Sequence, residues 1–151
     1  MTKRAKKADY RKDKRIGAAS SPPSGYYDKN PLWAFRRIDA EHQKWGLDKN
    51  THMLPDVLKY LKGLESQTWR SILTATSGRA DNTRNHAIGI DKLCKDAQKR
   101  AEEIKLDEFD ELVSIAISGA GRVWGVLLDG VYYIVWFDPH HEVYPVSKQH
   151  T

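Results

Sequence analysis

The chain has 151 residues, 40% of them hydrophobic and 30% charged, with one cysteine and a formal net charge of +5. That length suits one domain with a real core, and the lone Cys94 excludes an intrachain disulfide framework or a cysteine-based metal site. No apolar run approaches the ~20 residues of a membrane helix, and the basic start lacks the apolar stretch of a signal peptide. The sequence therefore points to the cytoplasm and away from a membrane.

The charge is unevenly placed. Residues 1–15 carry eight Lys/Arg against Asp9 and Asp13, leaving seventeen basic and eighteen acidic side chains in the rest. Lys3, Arg4, Lys6 and Lys7 belong to this basic tail, which favours polyanions through counterion release or serves only as a solubilising arm. Gly, Ser and Pro dominate residues 16–30, so residues 1–30 read as an arm and residues 31–151 as a single domain.

Within the domain, Leu32, Phe35 and Ile38 recur at helical spacing, with Gly46 as a stop, which predicts a helix over 31–45. Val57, Leu58, Leu61 and Leu64 predict a second helix, and Trp69, Ile72 and Leu73 a third. Residues 77–89 have no period and carry Arg79, Arg84 and His86, as an exposed binding loop would. Asp91 suits the N-cap of a further helix whose inward stripe is Leu93, Ala97, Ala101 and Ile104. Cys94 falls in its inward half, as core.

From Leu112 the period changes to alternation. "LVSIAIS", "RVWGVLL" and "VYYIVWF" predict three strands, the last two joined by Asp129-Gly130, a strong two-residue hairpin signal. The third strand is apolar on both faces, as a central strand is. "EVYPV" adds a short fourth, on an edge because of Pro145. The expected fold is α+β: helices first (31–84), then a helix and a three- to four-stranded antiparallel meander (85–151).

The hairpin register sets Arg122 beside Phe137 and Asp138, next to the turn that holds His140 and His141. Metal-independent RNA cleavage needs a base for the 2′-hydroxyl proton, an acid for the leaving oxygen and cationic donors for the phosphorane. Imidazole titrates near neutral pH, so His140 or His141 suits acid or base work. Tyr144 or Lys148 can assist, and Arg122 can hold a phosphate with two donors. Trp124, Tyr132 and Trp136 are either platforms for unpaired bases or core. Asp138-Pro139 is equally a turn start, and Arg122 with Asp138 equally an ion pair. His42, His52, His86, His140, His141 and His150 show no metal-ligand spacing, so neither metal nor cofactor is expected.

The stretch from "AQKRAEEI" through "LVSIAIS" to "GRVWGVLLDGVYYIVWFDPHHEVYP", roughly residues 85–145, resembles the RelE/ParE-like toxin superfamily. It is also similar to small bacterial and phage proteins ending in R-hydrophobic-W-G … W-[WF]-D-P-x-H-x-V-Y-P. The resemblance implies helices ahead of a twisted antiparallel sheet, and an endoribonuclease that cleaves mRNA, often on the ribosome, restrained by a cognate antitoxin. Arg122 then matches the phosphate-binding arginine, and His141 and Tyr144 the C-terminal acid/base positions, with Lys148 a looser match. The folded body departs from the pattern in not being basic. A non-catalytic nucleic-acid-binding or protein-binding accessory protein of a phage or defence system is the alternative.

Overall fold

The computed structural model describes residues 25–75 and 85–145. Five strands form one sheet: β1 (Leu32–Ala34), β2 (His86–Gly89), β3 (Glu111–Ser118), β4 (Gly121–Leu128) and β5 (Val131–Asp138), in the order β1-β5-β4-β3-β2. β1 runs parallel to β5 and every other pair is antiparallel, so the sheet is mixed. Among the described residues the three α-helices are α1 (Leu54–Leu64), α2 (Trp69–Thr74) and α3 (Lys95–Glu103). The α+β class holds, but the sheet is larger than a three- to four-stranded antiparallel meander. Strands also precede and separate the helices. No described helix is long and apolar enough to cross a membrane.

The β3–β4–β5 meander follows its sequence pattern. Asp129 (φ 54°) and Gly130 (φ 85°) both take positive φ, as a type I′ turn requires. Core clusters lie on both faces. On one, α1 and α2 cover Val113, Ile115, Val123, Tyr132 and Phe137; on the other, α3 and Trp45 cover Leu112, Trp124, Val126 and Trp136. The β4–β5 register slips between Trp124, opposite Trp136, and Gly125, opposite Ile134. Val135 is therefore an extra, bulged residue, so Val135 and Trp136 both reach the α3 face.

α1 begins with Pro55 in its first turn, where a missing N–H is harmless. It buries Val57, Leu61 and Leu64, while Leu58, expected to face inward, is 55% exposed. Thr68 caps α2 through its hydroxyl, which accepts from Ser71 N at 3.2 Å. Trp69 is buried and donates its indole N–H to Gly130 O at 2.9 Å, tying α2 to the hairpin turn.

Five local expectations fail. Residues 31–45 form β1 and turns rather than a helix. Pairing with β5 takes Leu32–Ala34, and the Asp39 carboxylate then accepts Glu41 N and His42 N, closing a tight turn. Phe35, expected inside, is 56% exposed. Residues 86–89, read as loop, form β2 against β3. Asp91 does not cap α3: a 3-10 turn at Ile90–Lys92 intervenes, Leu93 is extended into the core, and Cys94 takes the N-cap position without a side-chain cap. "EVYPV" forms no strand. The outer edge of β5 is occupied by β1, and Val143 O instead accepts Cys94 N at 2.9 Å. Tyr27, which the sequence puts in the arm, is buried and its carbonyl accepts Arg70 N.

Candidate nucleic-acid site at the sheet end

Arg122 sits opposite Asp138, where the hairpin register places it, and opposite Ala116 on its other side. One step along the same face, His86 on β2 lies opposite Ser114, and Ser114 opposite Trp124. Ser114 and Ala116 are small, so the longer side chains of His86 and Arg122 can lean together across β3. His141 lies in the turn directly after β5, three residues beyond Asp138, the residue opposite Arg122. The His86 pKa is lowered by burial first, and then by the positive influence of Arg122 and of His141. A guanidinium and two imidazoles thus share one sheet end, and the neutral form of His86 is the favoured one.

Asp138 is fully buried and organises the turn. Its carboxylate accepts Glu142 N at 2.9 Å, Val143 N at 2.9 Å and the Trp124 indole at 3.2 Å. It makes no ion pair with Arg122, whose Nη1 donates instead to Gly119 O (2.8 Å) and Gly121 O (2.9 Å). With both following amides held, His141 is forced to φ 61°, a left-handed conformation uncommon outside glycine and worth a functional question. His141 Nδ1 is buried and has no hydrogen-bond partner among the described residues. His140 and Tyr144 are exposed beside the turn.

The aromatic candidates resolve as core. Trp124, Tyr132 and Trp136 are each at most 1% exposed. Each also has its polar atom engaged: Trp124 by Asp138, Trp136 by Asp39, and the Tyr132 hydroxyl by Val113 O at 2.7 Å. None can present a ring face to a base. Lys3, Arg4, Lys6, Lys7, Arg79, Arg84 and Lys148 lie outside the described residues. Cys94 is half-buried, and burial raises its pKa.

A second polar constellation gave no sign in the sequence. Arg100 of α3 grips buried Asp39 with two donors, Nε at 2.8 Å and Nη2 at 2.9 Å, and the Trp136 indole adds a third at 2.9 Å. Burial alone would raise the Asp39 pKa, but these donors hold it at about 2. Next to it, His42 stacks on Trp45 at 4.7 Å and accepts Lys44 N and Trp45 N through Nδ1. Its pKa is lowered, chiefly by burial. Arg100 reads in sequence as part of a solvated helix face, and its partner is sixty-one residues away, so no local pattern links them. The arrangement clamps α3 to the 39–45 turn and to β5.

No protein-family model, curated protein or solved structure matches this chain.

Proposed function

We propose that this chain is a metal-independent endoribonuclease of the RelE-like kind, acting on RNA at the sheet end formed by His86, Arg122 and His141. The observation that carries the reading is the register that sets His86 and Arg122 on one face of the sheet end, beside the turn that contains His141 and that the Asp138 carboxylate ties down. Three basic side chains suit a phosphodiester, and the Asp138 carboxylate opposite Arg122 is taken up by internal donors. In this reading neutral His86 takes the 2′-hydroxyl proton as that oxygen attacks phosphorus. Arg122 stabilises the charge on the phosphorane, and His141 gives a proton to the departing 5′-oxygen. The products are a 2′,3′-cyclic phosphate and a 5′-hydroxyl. His140 and Tyr144, exposed beside the turn, contact the flanking RNA. In the cell the activity is directed to mRNA, on the ribosome or off it, and a cognate antitoxin restrains it.

The test is cleavage of labelled RNA in EDTA by the parent, Arg122→Ala and His141→Ala. Loss of an acid/base group is expected to slow cleavage by about 10²–10⁴-fold. Parental rates in both variants would remove the site. One observation favours a non-catalytic second reading: Arg122 spends one guanidinium nitrogen on the carbonyls of its own turn, as a structural arginine does. In that case RNA is bound and stays intact.

A further inference from the structure

The sequence offers Trp124 and Trp136 as base platforms, and both are buried. A surface that combines exposed aromatic area with available cations lies elsewhere, at the β1–β5 edge. Leu32 is 64% exposed and Phe35 56%, half of the large exposed hydrophobic side chains among the described residues. Immediately after them come Arg36 and Arg37. The Arg36 guanidinium lies 5.5 Å from the Tyr133 ring centre, and that of Arg37 lies 4.9 Å from Phe109 and 5.8 Å from Tyr133.

How these arginines are held decides what they can do. Arg70 is paired with Asp28, and Arg100 with Asp39 and Glu103. Arg36 and Arg37 make no ion pair among the described residues; aromatic faces fix them instead. A ring positions a guanidinium through its flat face and leaves the in-plane N–H donors for an oxyanion. Two such groups beside an exposed phenylalanine form the combination that single-stranded nucleic acid uses: cations for the phosphates and a ring for a base. An acidic protein segment would satisfy the charges but would leave Phe35 without a planar partner.

We propose that Phe35, Arg36 and Arg37 on the Tyr133 edge form a docking surface for single-stranded RNA, with the arginines on two phosphates and Phe35 stacked on a base. This rests on RNA being the substrate of the sheet-end site. Tyr133 and Asp138 lie on the same strand, roughly 16 Å apart at about 3.3 Å per residue, so one strand joins the docking edge to the cleavage end.

The experiment measures binding of the full chain to a fluorescent 2′-O-methyl oligouridylate, which cannot be cleaved, across a salt series. Binding is thereby separated from chemistry. Arg36→Ala/Arg37→Ala is expected to weaken binding about tenfold and to reduce the slope of log K against log salt by about 1.4, two phosphates at ~0.7 each. Phe35→Ala is expected to weaken binding with the slope unchanged. Arg36→Ala alone, at an exposed position, covers the chance that the double variant unfolds, and should lower the slope by about half as much. Parental affinity and slope in these variants would overturn the proposal, as would a parent that does not bind the oligonucleotide. A loss seen only with a polyglutamate peptide would also overturn it, making the edge a protein interface. Intact RNA in the cleavage assay together with the expected slope change would sink the ribonuclease reading and leave the docking surface standing.

Discussion

Two buried carboxylates, Asp39 and Asp138, do at single positions what the sequence assigns to longer patterns. Asp39 collects two backbone amides, two Arg100 donors and an indole. Its replacement by alanine strands those donors, and removing one partner of a buried pair costs about 3–5 kcal/mol. Because Arg100 retains some exposure, Asp39→Ala is expected at the lower end, read as a shifted urea midpoint with an unchanged slope. Asp138→Ala strands the Trp124 indole and two amides. It should cost about 2–4 kcal/mol at 1–3 per unsatisfied group with partial relaxation, and it should release His141 from its left-handed backbone. Arg122 was placeable from sequence because the Asp-Gly turn fixes the register. The turn role of Asp138 is legible in Asp138-Pro139, whereas its bond to the Trp124 indole on the neighbouring strand is not, because it depends on both side chains being buried on one face. His86 carried a weaker signal still: it reads as one residue of a loop, and only the β2–β3 pairing brings it to the sheet end.

At the scale of elements, alternation and turn chemistry made β3, β4 and β5 legible, and amphipathic spacing did the same for α1, α2 and α3. Non-local pairing defeated the rest. Leu32, Phe35 and Ile38 match a helical period, yet the parallel partner of β1 lies about a hundred residues later in the chain, beyond any local window. The same pairing uses the edge that "EVYPV" was expected to fill. Gly125 borders the slip at Val135, and an added Cβ there would meet the Tyr132 ring at 2.8 Å and the Tyr133 carbonyl. Gly125→Ala therefore forces a shift of backbone. We expect a loss of about 1–3 kcal/mol, typical of overpacking, measured by chemical denaturation. Gly63→Ala, whose Cβ would meet nothing, is expected to stabilise α1 by up to about 1 kcal/mol. A stabilised Gly125→Ala would mean that the close approach to Tyr132 is not a feature of the folded chain.

For the whole molecule, the sheet separates two kinds of face: α1 and α2 cover one, while the other carries α3, the Asp39–Arg100 clamp, the basic sheet end and the Phe35–Arg37 edge. Both His42 and His86 have folded pKa values below the ordinary histidine value. The unfolded chain then binds more protons than the folded one as pH falls through about 6.5. Stability should be full above that pH and decline below it, until the folded histidines also titrate. Asp39, at about 2, stays ionised throughout this window. Urea midpoints at pH 7.5 and 5.5 check this, and equal midpoints would contradict it. His42→Gln and His86→Gln should each flatten part of the dependence.

The proposed RNA cleavage at the sheet end uses the 2′-hydroxyl. The most direct measurement incubates the full chain in EDTA with end-labelled RNA and with the same sequence 2′-O-methylated, free and in translating extract, and identifies the product ends. Cleavage of the first substrate only, leaving 2′,3′-cyclic phosphates, is the expected result. RNA that stays intact in both settings, or 2′-O-methylated RNA that is cut, would contradict it.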